Sequence, residues 1–299
     1  MRTIAHISDL HFGRIDPPVV EGLVADLADR RPDVLVVSGD FTQRARARQY
    51  RAAADYLKRL PTPQLVVPGN HDIPMFDVIR RFFFPLARYR KYISKDLRPV
   101  YSDDEIFVLG INTARSFTHK SGWISEEQLL DVKTRVCRQP PGVFKVVVTH
   151  HPFIPPPRDP RADVIRRGSQ YIDEMEDCGV DMLLAGHLHL AYHDDLRAHY
   201  KAAKRSILSV QAGTATSTRR RGEPNAYNWI TVSPGDNGLC TVAVRAWNAK
   251  EGCFEESLVT RYNRADGEWL REQQVPVDEL AEEVLVTHPP EAVPPKTGL

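Results

Sequence analysis

Cysteine is scarce. The 299 residues hold four, Cys137, Cys178, Cys240 and Cys253, and none stands in a CxxC pair. Metal or redox chemistry built on that motif therefore has no basis here. The four read as buried free thiols, with a Cys240–Cys253 cross-strand bridge as the alternative. No apolar run is long enough to span a membrane. Neither sign of charge dominates: the formal net charge is +1. That balance argues against a stable nucleic-acid partner and against a solvating acidic tail. No repeat of fixed period runs through the chain, which excludes a solenoid or propeller. Met1-Arg2-Thr3 leads straight into the first strand, so no cleavable leader and a cytoplasmic protein are expected.

What is present is a large apolar fraction, 42%, enough to bury the core of one domain with an accessory piece. Five apolar runs stop abruptly at His, Asp or Asn. Ile4–Ser8 leads into Asp9-Leu10-His11, and Val34–Ser38 into Gly39-Asp40. Leu65-Val66-Val67-Pro68-Gly69 leads into Asn70-His71-Asp72. Val146–Thr149 leads into His150-His151-Pro152, and Met182–Ala185 into Gly186-His187-Leu188-His189. Six of the eleven histidines fall in these strand ends, which a random scatter would not produce. In open α/β sheets, the strand end is where ligands bind.

The chain opens as β-α-β-α-β. Strands are expected at 3–8, 33–38 and 64–67, and helices from Asp16-Pro17 to Arg30 and from an N-cap at Thr42 to Leu60. Residues 75–95 have a helical pattern, rich in aromatic and basic side chains and broken at Pro85. Strand 105–112 follows, then a helix opened by a Ser125–Gln128 capping box. Strands 143–149 and 181–185 flank a proline- and arginine-rich loop, 152–168, and a helix near 169–178. From Arg205 to Tyr262 alternation dominates, as in an antiparallel sheet. The domain is expected to span 1–265, with 75–99 as a rim or dimer insertion. Residues 266–299 are expected as an extension and tail, with a short helix over Glu279–Val286.

Asp9, His11, Asp40, Asn70, His150, His187 and His189 offer only oxygen and nitrogen donors. That set suits Mn, Fe or Zn. Seven ligands exceed what one ion with an open position needs, and two ions sharing a carboxylate would use them all. Asp40, alone on its strand end, is the natural bridge. Extended chain would aim both members of Asp9-x-His11 and of His187-x-His189 into one cavity. Asp72 is expected to cap or support the turn. His6 is expected beside the core, and His193, His199 and His288 at the surface.

These blocks, in order and spacing across residues 9 to 189, resemble the calcineurin-like metallophosphoesterases. The opening Ile-Ser-Asp-Leu-His-Phe-Gly is similar to bacterial members of the cyclic-nucleotide phosphodiesterase type. The resemblance implies a four-layer α/β/β/α sandwich of two mixed sheets. It also implies two metal ions, one held by Asp9, His11, Asp40 and His189, the other by Asp40, Asn70, His150 and His187. Gln43 stands where many relatives carry a further Asp. His151 falls on a variable position and is expected to orient a ligand or touch substrate.

Charge dictates the rest. Two cations about 3.5–4 Å apart can hold the phosphoryl oxygens and acidify a shared water, which attacks phosphorus in line. The alkoxide that leaves needs a proton, and His71 is the candidate donor. Small phosphodiesters, cyclic nucleotides first, are the expected substrates. A nuclease, a glycerophosphodiester or lipid-precursor hydrolase and a metal-bearing scaffold remain as alternatives. Asn112, Arg115 and His119 are candidate substrate contacts. The run Arg219-Arg220-Arg221 reads as a solvated hairpin tip.

Overall fold

The computed structural model describes residues 1–276 apart from 119, 202, 236 and 237. His119, His288 and the helix expected over 279–286 lie outside the described residues. In chain order the first strands are β1 (Arg2–Ile7), β2 (Val34–Val37), β3 (Gln64–Val66), β4 (Val100–Ser102), β5 (Ile106–Gly110), β6 (Phe144–Val148) and β7 (Met182–Ala185). β8 (Tyr192–Asp195), β9 (Leu208–Gln211), β10 (Ala226–Ser233), β11 (Leu239–Asn248), β12 (Cys253–Ala265) and β13 (Glu268–Pro276) follow. The helices are α1 (Pro17–Arg30), α2 (Ala47–Leu57), α3 (Val78–Phe83), α4 (Ala87–Tyr92), α5 (Glu126–Val136) and α6 (Gly168–Asp177).

Two mixed sheets form, ordered β13-β12-β11-β10-β1-β2-β3 and β4-β5-β6-β7-β9-β8. The period of two along each strand divides its side chains between layers. Val34 and Val36 face the other sheet, where Val146, Val148 and Leu184 meet them. Leu35 and Val37 face outward, under Leu23 and Leu27 of α1 and Tyr50 and Tyr56 of α2. On the second sheet Leu109, Val147 and Leu183 are covered by α5 and α6 through Val132, Ile172 and Met175. The result is the expected helix–sheet–sheet–helix stack. β1, β2 and β3 run parallel, as do β5, β6, β7 and β9. The loops after β1, β2, β3, β6 and β7 thus gather at one end.

Several local expectations change. Helix α2 begins at Ala47, with Arg46 at its N-cap rather than Thr42. The Thr42 hydroxyl bonds Asp72 Oδ1 at 3.1 Å, a partner from another loop that local pattern cannot reveal. The stretch 205–262 is not one antiparallel unit, because β9 joins the second sheet parallel to β7. The extension expected from residue 266 opens with an edge strand, β13, paired to β12. Cys137 and Cys178 are bridged, and of the two free thiols only Cys240 is buried. Those bridged residues cap the C-termini of α5 and α6, which pack side by side; 41 residues of sequence hide that proximity. Cys240 pairs with Tyr262 across β11–β12, and Cys253 with Asn248, so no bridge joins them.

His193 is not on the surface but buried, its Nε2 2.8 Å from Thr260 Oγ1 and its ring against Tyr262. Burial, with the nearby Arg271 charge, pushes its pKa down to about 4, against the opposing pull of Asp194. The neutral ring therefore contributes stability that is complete above the unfolded value near 6.5 and is lost as pH falls toward 4. In urea melts across that window, His193→Gln is expected to flatten the acid limb by about 3 kcal/mol relative to wild type.

Candidate metal centre

The loops at the strand ends are held in unusual backbone. Asp9, His11, Asp40, His187 and His189 all have positive φ, between 48° and 72°. That region is costly for side chains other than glycine, roughly 1–3 kcal/mol each, and is kept where surrounding contacts enforce it. Asp9 N–H donates to the Gly39 carbonyl and His11 N–H to the Asp40 carbonyl, zipping the first two loops together. His187 N–H donates to Asp9 Oδ2 at 2.9 Å, tying the second sheet to the first. The DxH and HxH pairs therefore converge through left-handed turns, not through the extended geometry expected from their spacing.

Close approach explains two of the glycines. A Cβ on Gly69 would stand 2.1 Å from Asp40 Oδ1, and one on Gly186 would stand 1.8 Å from Ser8 Oγ and 2.6 Å from Asp9 Oδ2. Each sits against the side chain of a different loop, so no other residue leaves the carboxylates in place.

The donors form two groups. In the first, His11 Nε2 lies 3.4 Å from Asp9 Oδ1, 3.3 Å from His189 Nε2 and 3.6 Å from Asp40 Oδ2. His189 Nε2 is 3.4 Å from Asp9 Oδ1. In the second, Asn70 Oδ1 lies 3.0 Å from both His150 Nε2 and His187 Nδ1, and His150 Nε2 is 3.5 Å from Asp40 Oδ1. Asp40 thus turns one oxygen to each group. Asp9 Oδ1 and Asp40 Oδ2 are buried and accept no hydrogen bond. Two orphaned carboxylate oxygens amid imidazole nitrogens fit a cation and little else.

Protonation agrees. His150 donates from Nδ1 to the Ser38 carbonyl at 2.7 Å, which turns Nε2 to the site. Burial opposes charge on this ring, but Asp40 and Asp9 outweigh it and raise its pKa. Burial pushes His11 down to about 3, and Asp40, with Asp9 beside it, up to about 6. A cation in their midst would favour the Asp40 carboxylate and take the lone pair of an already neutral His11.

Asp72 is the brace the turn required. Its carboxylate accepts from the backbone N–H groups of Gly69, Phe41 and Thr42 and from the Thr42 hydroxyl. Burial and the Asp40 charge nevertheless push it up to about 7. Asp72→Ala leaves three buried backbone N–H donors unpaired, the Thr42 hydroxyl keeping the His71 carbonyl, and is expected to cost roughly 2–4 kcal/mol in urea unfolding. Bound metal, read by atomic emission, should fall with it, since the same donors position Asp40.

His71 projects beside both groups. Its backbone N–H donates to Asp40 Oδ1 and its Nδ1–H to the Gln43 carbonyl, at 2.8 and 2.9 Å. Nε2 is left facing the cleft. Arg219, read from sequence as part of a solvated tip, lies here, with Nη1 3.0 Å from His71 Nε2 and 3.5 Å from His11 Nε2. Thr214 and Thr216 hydroxyls donate to the carbonyls of Asp9 and Leu10, and this lacing carries Arg219 into the site. Nothing local in the run marks Arg219 over its neighbours. Arg220 turns away to Asn225 and Asp16, while Arg221 pairs with Asp159 at the rim of the same cleft.

His151 packs 4.6 Å from the His187 ring, with Nδ1 2.8 Å from Thr113 Oγ1. Asn112 and Arg115 do not join the cluster. Arg115 bonds the carbonyls of Asn112 and Ala114 and the side chain of Gln128, beside a neighbouring cleft. The cleft over His71, His187 and His189 has a volume of about 290 Å³. Lys120, Arg161, Arg219 and Arg221 line it together with Asp159 and Asp163, so part of the 152–168 loop borders the site.

The family model for calcineurin-like phosphoesterases matches residues 2–191, well over half of the chain. The chain belongs to the calcineurin-like phosphoesterases. That family uses a dinuclear metal site, and the clustered donors above could hold one. A glycerophosphodiester phosphodiesterase, GpdQ, of Enterobacter lignolyticus is 29% identical over 169 residues, 51% of this chain and 57% of that one. A probable cyclic nucleotide phosphodiesterase of Xenorhabdus bovienii is 22% identical over 68% of this chain and 78% of its own. The chain thus spans little more than half the length of the first relative. In fold, it superposes on the purple acid phosphatase PPD1 of yellow lupin with a TM-score of 0.64 at 10% identity, covering 89% of this chain and 54% of that one. No helix among the described residues is long and apolar enough to cross a membrane.

Proposed function

We propose that this calcineurin-like phosphoesterase is a metal-dependent phosphodiesterase of small diesters, with 3′,5′-cyclic nucleotides as the leading substrate. Glycerophosphodiesters are the second reading, favoured by the name of the Enterobacter relative. The observation that carries the proposal is Asp40, whose two oxygens face two donor groups while His71 and Arg219 stand immediately beside them. One group of ligands is Asp9, His11, Asp40 and His189, the other Asp40, Asn70, His150 and His187. When bound, two Mn, Fe or Zn ions supply Lewis-acid charge and an acidified water.

The chain's own residues do the rest. Arg219, with Lys120 at the rim, draws the anionic phosphate into the cleft and holds an oxygen of it. Water adds its oxygen to phosphorus, and the bond from phosphorus to the leaving oxygen breaks. That oxygen takes the Nε2 proton of the His71 imidazolium, whose Nδ1–H stays on the Gln43 carbonyl, and the proton shed by the attacking water restores it. Burial and Arg219 lower the pKa of this ring, so the bound anionic phosphate is what holds it in the doubly protonated form. The rigid left-handed turns keep the ligands from rearranging as charge moves.

A substrate panel tests this with Mn²⁺-reconstituted protein: bis-p-nitrophenyl phosphate, p-nitrophenyl phosphate, 3′,5′- and 2′,3′-cyclic AMP, glycerophosphodiesters and a single-stranded oligonucleotide. Diesters are expected to turn over well ahead of the monoester. Preference for the monoester or the oligonucleotide would overturn the substrate class, and a glycerophosphodiester ahead of cyclic AMP would select the second reading.

A further inference from the structure

Beside the cleft lies an apolar face that the reaction does not use. Met75, Phe76, Val78, Ile79, Phe82, Phe83, Phe84 and Phe117 are all exposed, Phe76, Phe83 and Phe117 by 75%, 74% and 83%. The other large apolar side chains exposed among the described residues are scattered singly along the chain. A contiguous face of this kind marks an interaction site.

The face is built, not frayed. Arg81 is buried beneath it and donates to the carbonyls of Pro74, Ser116 and Thr118 at 3.2, 2.8 and 3.2 Å. Ser116 Oγ donates back to the Arg81 carbonyl. This clamp staples the 116–118 turn to α3 and sets Phe117 beside Phe82, Phe83 and Phe84 around one cleft. Tyr89 anchors α4 in the core, with no exposed surface.

Charge identifies the occupant. Of the six cations in residues 75–96, Arg81 is buried and Arg80 is paired with Asp77, which leaves Arg88, Arg90, Lys91 and Lys95 against Asp96, in a chain whose net charge is +1. Arg80, Arg90, Lys91 and Lys95 are exposed, and the Arg44 guanidinium lies 5.5 Å from the Phe76 ring centre. A two-fold contact with a second copy would set these cations against themselves. Anionic headgroups would neutralise them while the phenylalanines enter the acyl boundary. We propose that the face formed by 75–84 and Phe117 is a docking surface for an anionic phospholipid membrane, which holds the protein peripherally. Ile73 lines both the Phe82–Phe84 cleft and the cleft containing Asn70 and His71, so the docked face is continuous with the mouth of the site. Membrane binding itself does not rest on the function proposed above.

The test is co-sedimentation of the full chain with vesicles of phosphatidylcholine plus phosphatidylglycerol, and with phosphatidylcholine alone, at low and high salt. Wild type is expected to partition at least about ten-fold better onto the anionic vesicles and to lose that preference in high salt. Ile79→Ser with Phe83→Ser, both exposed, should lose binding at least about ten-fold with an unchanged thermal melt. Arg90→Glu with Lys91→Glu should weaken it as well. Wild type left in the supernatant with anionic vesicles would overturn the proposal. So would binding indifferent to the apolar pair, which would point to an acidic partner instead. A dimer seen by light scattering, lost in the apolar variant and without vesicle binding, would make the face an interface between copies.

Discussion

Asp40→Ala is expected to abolish turnover of every diester. The loss should exceed the ~10²–10³-fold typical of removing one electrostatic contact in an active site. Asp40 is buried, has positive φ, and turns Oδ2 to His11 and Oδ1 to His150. Its removal therefore takes a ligand from each group at once. Atomic emission should find the bound metal reduced along with activity, while Asp159→Ala, on the exposed rim, retains its full metal content. Near-normal metal content together with kcat/KM within about ten-fold of wild type would sink the bridging role, since a lost charge at the metals cannot be that cheap.

His71→Ala is expected to act on the leaving group. With 3′,5′-cyclic AMP, whose alkoxide needs a proton, kcat should fall by about 10²–10⁴. With bis-p-nitrophenyl phosphate, whose nitrophenolate departs as a stable anion, the loss should be much smaller. The substitution keeps the backbone N–H that bonds Asp40, so metal content should not change. Arg219 loses a contact but keeps its approach from the Thr214–Ser217 lacing. Equal losses on both diesters would assign His71 to charge stabilisation rather than proton transfer.

Much of this site could be read before any coordinates. Each apolar run that ended in His, Asp or Asn became a strand whose end faces the centre, and all seven donors meet there. The Ser125–Gln128 capping box opens α5, and Pro85 separates α3 from α4, because both signals act within a few residues. Thr42 does accept the Ala45 N–H as a cap would, but its hydroxyl also bonds Asp72 from a distant loop and the helix starts only at Ala47. Arg115 looked free for a phosphate but bonds backbone carbonyls near its own loop. Arg219 looked like one of three solvated arginines, and only the laced loop from Thr214 singles it out.

By itself the sequence determined the family, the four layers and which oxygen and nitrogen donors stand at the strand ends, because these depend on local periodicity and on side-chain chemistry that no packing can change. Tertiary structure alone decided which oxygen of Asp40 faces which group, why Gly69 and Gly186 admit no side chain, that Cys137 meets Cys178, and that Arg219 joins His71. It also decided that the phenylalanines of 75–84 face outward over a buried arginine. Most of these are contacts between segments far apart in the chain, set by how the strands and helices stack, which no single element encodes.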